Sequence, residues 1–328
     1  MMWLWLAALL LDPETIKPQK TYFIPLTIED EDDPRTYLNT IDQIVIDDDL
    51  LYAHPSQSTV IKVFDRNLKF QFQIGGRGGG PGLFPSTILS FNAVNGNVWA
   101  LCKDTQVSYF QGDHFVRNIP IKGVQVSIYG SSTAAFAVDE DVAVIPAHPK
   151  TRQLGVAYTY DGEVVQGVGD IFPIDKEVLA HNPAYNDVMW VKGKDRWYAV
   201  FEYHPLVQVF DREFKLVSEF TFDTQAVKEF EERWRDWKPK KGWRIPPELN
   251  YDAAWHDGHL WIMCFGALLK LDPETKTLRG AWYFYGQDPQ FDDRGRHHFY
   301  TFDFFSDGQM LMATRGDRWG QIFTANLD

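Results

Sequence analysis

Val63-Phe64-Asp65-Arg66 recurs unchanged as Val209-Phe210-Asp211-Arg212, with looser copies at Tyr158-Thr159-Tyr160-Asp161-Gly162 and Leu269-Lys270-Leu271-Asp272-Pro273. Each copy follows an apolar run and precedes another, and each carries an Asp, with Gly, Asn or Pro next to or near it in three of the four. That is turn chemistry between two strands. A fixed recurrence must be settled before any local motif, because it dictates the whole architecture. The copies divide the chain into units at about 40–76, 86–122, 124–169, 185–223, 250–286 and 299–328. A spacing of about 40–50 residues is that of four-stranded propeller blades. Strands in these units alternate apolar positions, and the 12 Trp and 24 Phe suit stacked sheets that need wide, flat filling.

The last unit ends one strand short at Gln321–Asp328, and Thr21–Ile28 is the segment expected to supply it. Joining the two ends in one sheet removes an exposed edge. The expected fold is therefore all-β: a single domain over 1–328, a six-bladed propeller of four-stranded antiparallel blades closed by an N-terminal strand. A chain of 328 residues with 45% hydrophobic content can form this as one unit.

One connection is distinctive. Gly75-Gly76-Arg77-Gly78-Gly79-Gly80-Pro81-Gly82-Leu83-Phe84-Pro85 joins strand to strand. Glycine permits positive φ and close backbone approach, so this is a shaped turn. Glycines followed by Pro-Gly-x-Phe resemble the loop between blades of NHL-like and TolB-like six-bladed propellers. A weaker copy is Gly167-Val168-Gly169-Asp170-Ile171-Phe172-Pro173. The resemblance covers most of the chain as a blade pattern and is that of a divergent member. It implies a bacterial repeat protein of recognition type, often exported. Relatives with lactone hydrolase or lyase activity and a channel metal supply the alternative.

The net charge of -13 removes the basic footprint that a general nucleic-acid binder needs. Cys102 and Cys264 occupy matching contexts, Trp99–Cys102 and Trp261–Cys264, so they belong to different blades and are expected as buried, unpaired thiols. Met1–Leu11 is apolar but lacks a basic start and a small-x-small cleavage site. It is too short to span a bilayer as a helix. Its continuation into Asp12-Pro13-Glu14-Thr15 parallels Ala267–Thr275, so it reads either as an extra strand or as an export signal. The expected location is extracytoplasmic, periplasmic or secreted, with cytoplasmic as the alternative; the strand reading leaves the chain either cytoplasmic or exported by another segment.

Candidate binding residues fall on the face that carries blade-to-blade connections. His-Pro recurs at three turns between second and third strands, with His54, His148 and His204. Imidazoles from three blades would be the one route to a divalent metal, which no motif otherwise predicts. The insertion at 224–250 predicts a helix over 226–237 with Thr224 as N-cap and an apolar stripe of Val227, Phe230, Trp234 and Trp237. Lys240, Lys241 and Arg244, interleaved with Trp243, then make a basic aromatic patch. The connection at 286–298 adds Arg294, Arg296, His297 and His298, and Arg77 sits in the glycine loop. Such long loops and Arg-aromatic content favour docking. The glycine loop has no Gly-Lys-Ser/Thr ending and is not a phosphate loop. The acidic runs Glu29–Asp33 and Asp47–Asp49 lack calcium-loop spacing and are expected as solvated turns. Gly-x-Ser-x-Gly and His-Glu-x-x-His are absent from the sequence. The expected function is non-catalytic recognition of a protein partner or small ligand at the loop face.

Overall fold

The computed structural model describes residues 19–20, 23–26, 38, 40–102, 106–121, 136–147, 152–171, 186–234, 248–283, 299–314, 322–325 and 327. Two short N-terminal strands, β1 (Gln19–Lys20) and β2 (Phe23–Leu26), precede the first blade. Blade one is β3 (Ile41–Asp47), β4 (Leu50–Pro55), β5 (Val60–Asp65) and β6 (Phe70–Gly75). Blade two is β7 (Ile88–Val94), β8 (Asn97–Cys102), β9 (Gln106–Gln111) and β10 (His114–Pro120). Blade three is β11 (Ala137–Val138), β12 (Val142–Pro146), β13 (Gln153–Thr159) and β14 (Val164–Asp170). Blade four is β15 (Val188–Lys192), β16 (Trp197–Phe201), β17 (Leu206–Phe210) and β18 (Leu216–Thr221). Blade five is β19 (Asn250–His256), β20 (His259–Cys264), β21 (Ala267–Asp272) and β22 (Thr277–Tyr283). Blade six is β23 (Phe299–Phe304), β24 (Met310–Thr314) and β25 (Ile322–Ala325). The architecture is the expected six-bladed propeller.

Closure also follows the expected plan. β2 pairs antiparallel with β25, Phe23 opposite Ala325 and Leu26 opposite Ile322, and completes blade six. The chain adds one feature the repeat did not foretell. β1 pairs parallel with β22, Gln19 opposite Trp282, so blade five carries a fifth strand. One N-terminal stretch thus covers the outer edges of two successive blades, which protects both from edge-to-edge pairing.

Six hydrophobic clusters hold the ring, one at each seam between neighbouring blades. The reason is the strand period of two: within a blade, alternate side chains face the preceding and the following blade. On β8, Val98, Ala100 and Cys102 face blade one, whereas Trp99 and Leu101 face blade three. Cys102 and Cys264 are buried free thiols in separate seams, as their contexts predicted.

The glycine loop is shaped by its own hydrogen bonds. Phe84 N donates to Gly76 O (2.8 Å), and Gly78 N donates to Phe84 O (3.1 Å). Phe84 is thereby driven into the seam between blades one and two, where its ring lies 5.7 Å from that of Phe110. Gly75 has φ +84°, and a Cβ there would sit 2.1 Å from the Phe84 ring. Only glycine meets both demands.

The helix of the insertion, α1, runs over Gln225–Trp234. Thr224 caps it, accepting from Val227 N on Oγ1 (3.3 Å). Ala226 and Val227 are buried against blades four and five, and Phe230 packs on Phe265. Residues 235–247, including Trp237, Lys240, Lys241, Trp243 and Arg244, lie outside the described residues, as do the side chain of Trp234 and residues 1–18, where the strand-or-signal question falls.

Candidate functional site: the channel and its acidic end

The first strand of each blade is paired on one edge only, so its other edge turns unpaired backbone N–H groups towards the ring's axis and the next blade. The sequence meets this need with side chains. In four blades the first strand carries a register shift at the same place, at Ile41/Gln43, Ile88/Ser90, Asn250/Asp252 and Phe299/Thr301. The residue after the shift is polar and buried each time: Gln43, Ser90, Asp252 and Thr301. Gln43 bonds the backbone of Phe91, Asp252 accepts from Phe302 N (3.0 Å), and Thr301 Oγ1 accepts from Ile44 N (3.1 Å). Each bond runs from one blade to the next.

Two further carboxylates extend this series towards the end of the channel. Asp303 accepts from Ile46 N (2.7 Å) and Phe304 N (2.8 Å). Asp47 accepts from Asn95 N (2.9 Å) and Gly96 N (2.6 Å) at the turn between β7 and β8. Asp47 was expected in a solvated turn; it is instead a clasp between blades one and two. Burial pushes the carboxyls of Asp252 and Asp303 up to about 7, against the lowering effect of their hydrogen bonds.

These strands enclose a cavity of about 700 Å³. All six first strands contribute, and the turn residues Asn95, Asn97, Asp139 and Glu140 place it at the end of the turns between first and second strands. That is the end opposite the His-Pro turns. Its acidic residues are Asp139, Glu140, Asp252 and Asp303, and its cations are Lys192 and Arg117. Both cations are already ion-paired, Lys192 with Asp139 (3.1 Å) and Arg117 with Asp161 (2.7 Å). One wall is an aromatic ladder in which Trp99 is stacked between Tyr109 and Tyr160, with centroids 5.3 Å apart on both sides. Tyr109 is fixed by its hydroxyl on Asn97 Oδ1 (2.8 Å), and Tyr160 by its hydroxyl on Asp139 O. The Trp99 indole N–H is buried and has no hydrogen-bond partner among the described residues. A second stack, Trp255 on Tyr198, stands across the cavity at blades four and five.

Three of the residues singled out from sequence, His54, His204 and Arg77, have described side chains. His54 is buried in blade one, with Nε2 3.2 Å from Ser58 O and its ring edge-on to Phe91. Burial holds its pKa below the ordinary histidine value. His204 is half-buried in blade four, and its carbonyl accepts from Asn250 Nδ2 (3.1 Å). Blades one and four stand on opposite sides of the six-membered ring. Arg77 is exposed in the glycine loop. His148, Arg294, Arg296, His297 and His298 lie outside the described residues. Among the described residues no group of three His, Cys, Asp or Glu side chains is arranged to hold a metal ion. Sequence reading missed the channel residues because a polar residue within an apolar strand carries no sign of what it faces. The usable signal was the repetition of one polar residue at the same place in several first strands.

No family model matches the chain, and no curated protein is similar to it in sequence at a significant level. Solved structures are similar in fold. A Bacteroides fragilis protein described as exported superposes with a TM-score of 0.61 at 12% identity, covering 94% of this chain and 95% of its own. A member of the DUF4221 family from Bacteroides vulgatus gives 0.56 at 12% identity, covering 95% and 97%. Virginiamycin B lyase from Staphylococcus aureus gives 0.54 at 9% identity, covering 94% and 99%. Identities this low speak for the fold alone, and together with the blade topology they show that this chain is a six-bladed β-propeller.

Proposed function

We propose that this protein is a non-catalytic recognition propeller whose channel end takes a small cationic ligand or a cationic side chain of a partner. The observation that carries the reading is the charge of the cavity. Its carboxylates outnumber its cations, and both cations are already neutralised by Asp139 and Asp161. Low-dielectric walls focus such a field and raise the local concentration of cations. The Tyr109–Trp99–Tyr160 ladder offers flat surface beside the carboxylates, which suits an ammonium or guanidinium group carried on an apolar body.

Calorimetric titration with spermidine, agmatine and tryptamine tests this, with a neutral alcohol of similar size as control. Saturable binding of at least one cation, weakened about tenfold by Glu140→Gln or Asp139→Asn, is the expected result. Equal heats for cation and neutral control would overturn it. A stoichiometric divalent ion retained through dialysis against a chelator would replace it by the metal-dependent hydrolase or lyase reading.

Export is part of the same proposal. It is supported by the apolar start Met1–Leu11 and by the likeness to the Bacteroides fragilis protein described as exported. No helix among the described residues is long and apolar enough to cross a membrane. N-terminal sequencing of the protein recovered after expression with its own start tests it; an intact Met1 on protein retained in the cytoplasm would refute export.

A further inference from the structure

The third strand of each blade provides an internal comparison. In blades one to five the pairing of third and fourth strands shifts register near their shared turn, and the third-strand residue on the inner side of that shift is Val63, Tyr109, Ala157, Val209 and Lys270. In blades one, three and four it is an aliphatic residue packed in the seam. In blade two it is the tyrosine of the aromatic ladder. In blade five alone it is a cation, set into the seam with blade six.

That seam is correspondingly open. It holds a cleft of about 780 Å³, separate from the channel. The Lys270 ammonium lies 5.2 Å over the Trp261 ring, and among the described residues no hydrogen bond or ion pair engages it. Trp261 is stacked on Trp282 with centroids 5.3 Å apart. Trp282 lies across Gly280, where a Cβ would meet its ring at 2.4 Å, so the glycine opposite Lys270 leaves room for the indole. Trp261 and Trp282 are 96% and 95% buried, and neither indole N–H has a hydrogen-bond partner among the described residues. Buried donors are normally satisfied, so two orphans beside one unpaired cation mark an incomplete site. His256 is stacked on Phe304 at 4.5 Å, and Phe304 packs on Trp261 at 4.8 Å, so the four rings form one continuous aromatic wall. Of the cleft's other charges, Arg279 is engaged on Asp272 (2.6 Å) and Asp307 on Arg66, and the Asp257 carboxylate lines the same cleft beside His256.

We propose that the seam between blades five and six binds a small flat carboxylate, an aromatic acid whose carboxylate meets Lys270 and an indole N–H and whose ring lies against the aromatic wall of Trp282, Trp261, Phe304 and His256. A cation with free donors selects an anion, and the aromatic wall selects a planar body. The site does not rest on the channel reading and takes a ligand of opposite charge.

The probe is indole-3-acetate, titrated by calorimetry into the full chain beside neutral indole-3-ethanol and cationic tryptamine. Saturable binding of the acid is expected, with the alcohol at least about tenfold weaker. Lys270→Met should weaken the acid about tenfold, and Lys270→Arg should restore most of it. Lys270→Gln replaces the Met variant if a melting curve shows that Met disturbs folding. Trp261→Phe, which keeps a ring and removes one N–H, should weaken the acid without changing the alcohol. No binding of the acid at millimolar concentration, equal binding of acid and alcohol, or unchanged affinity in the uncharged Lys270 variants would overturn the proposal. Glu140→Gln in the channel should leave the acid unaffected, which keeps the two sites' outcomes distinguishable.

Discussion

The amide of Gln43 makes two hydrogen bonds to the backbone of Phe91 in the next blade. Gln43 Nε2 donates to Phe91 O and Phe91 N donates to Gln43 Oε1, each at 2.9 Å. Both residues are buried at the inner edge of the ring, where no further strand can pair. Gln43→Met keeps the volume and leaves the Phe91 N–H buried without a partner. The expected cost is about 2–4 kcal/mol. Urea denaturation should show a lower midpoint at an unchanged slope; a midpoint within error of the parent would mean that water or a shifted strand replaces the amide.

Asp252 and Asp303 give stability a specific pH dependence. Burial raises both carboxyls to about 7, while in the unfolded chain they ionise near 4. Between those values the folded state holds more protons than the unfolded one. Stability from these groups is therefore greatest at the acid end of that window and falls as pH rises from about 4 to about 7. His54 has the opposite sign: its pKa is lowered by burial, so its neutral folded form loses stability as pH falls below about 6.5. Asp303→Asn should flatten the fall between pH 4 and 7. An identical pH profile in the variant would remove Asp303 from the account.

Gly75 should tolerate no side chain. Gly75→Ala combines a positive φ with a Cβ 2.1 Å from the Phe84 ring, and an expected loss of about 2–4 kcal/mol follows from strain plus displaced packing. Phe84→Ala, which empties the same place, should cost about 3–5 kcal/mol. The double variant should cost less than the sum, because the two residues act on one contact. Strict additivity in thermal melts would contradict the coupling.

Closure by β2 predicts what truncation does. A chain beginning at residue 28 leaves the outer edges of β25 and β22 unpaired. Exposed edges template pairing with other chains. The truncated protein should melt at lower temperature and elute as dimers or larger species in size-exclusion chromatography with light scattering. A monomer of unchanged stability would show that closure does not depend on these strands.

Much of the ring was legible in the chain. Val63–Arg66 and Val209–Arg212 mark matching strands because every blade must end its third strand in the same turn, and Phe84 sits where its glycine loop aims it because local φ demands and local hydrogen bonds suffice to shape that loop. The missing strand of blade six was countable, so its donor near Thr21–Ile28 could be named; that a second strand, Gln19–Lys20, would pair with blade five was not, since nothing in two residues specifies a distant edge. The sites lay beyond sequence reading for a related reason. Asp47, Asp252 and Asp303 are polar residues in or beside strands, and whether each meets water or a neighbour's N–H depends on how blades turn about the axis. Lys270 sits inside a repeat copy as an ordinary strand residue, Leu269-Lys270-Leu271, and only the packing of blade five on blade six makes a cleft in which its ammonium lies over the Trp261 indole. Period, turn chemistry and strand count are local properties, written into neighbouring residues. Which side chains from strands some fifty residues apart share one cavity is a property of the closed ring, and it exists only once the ring has closed.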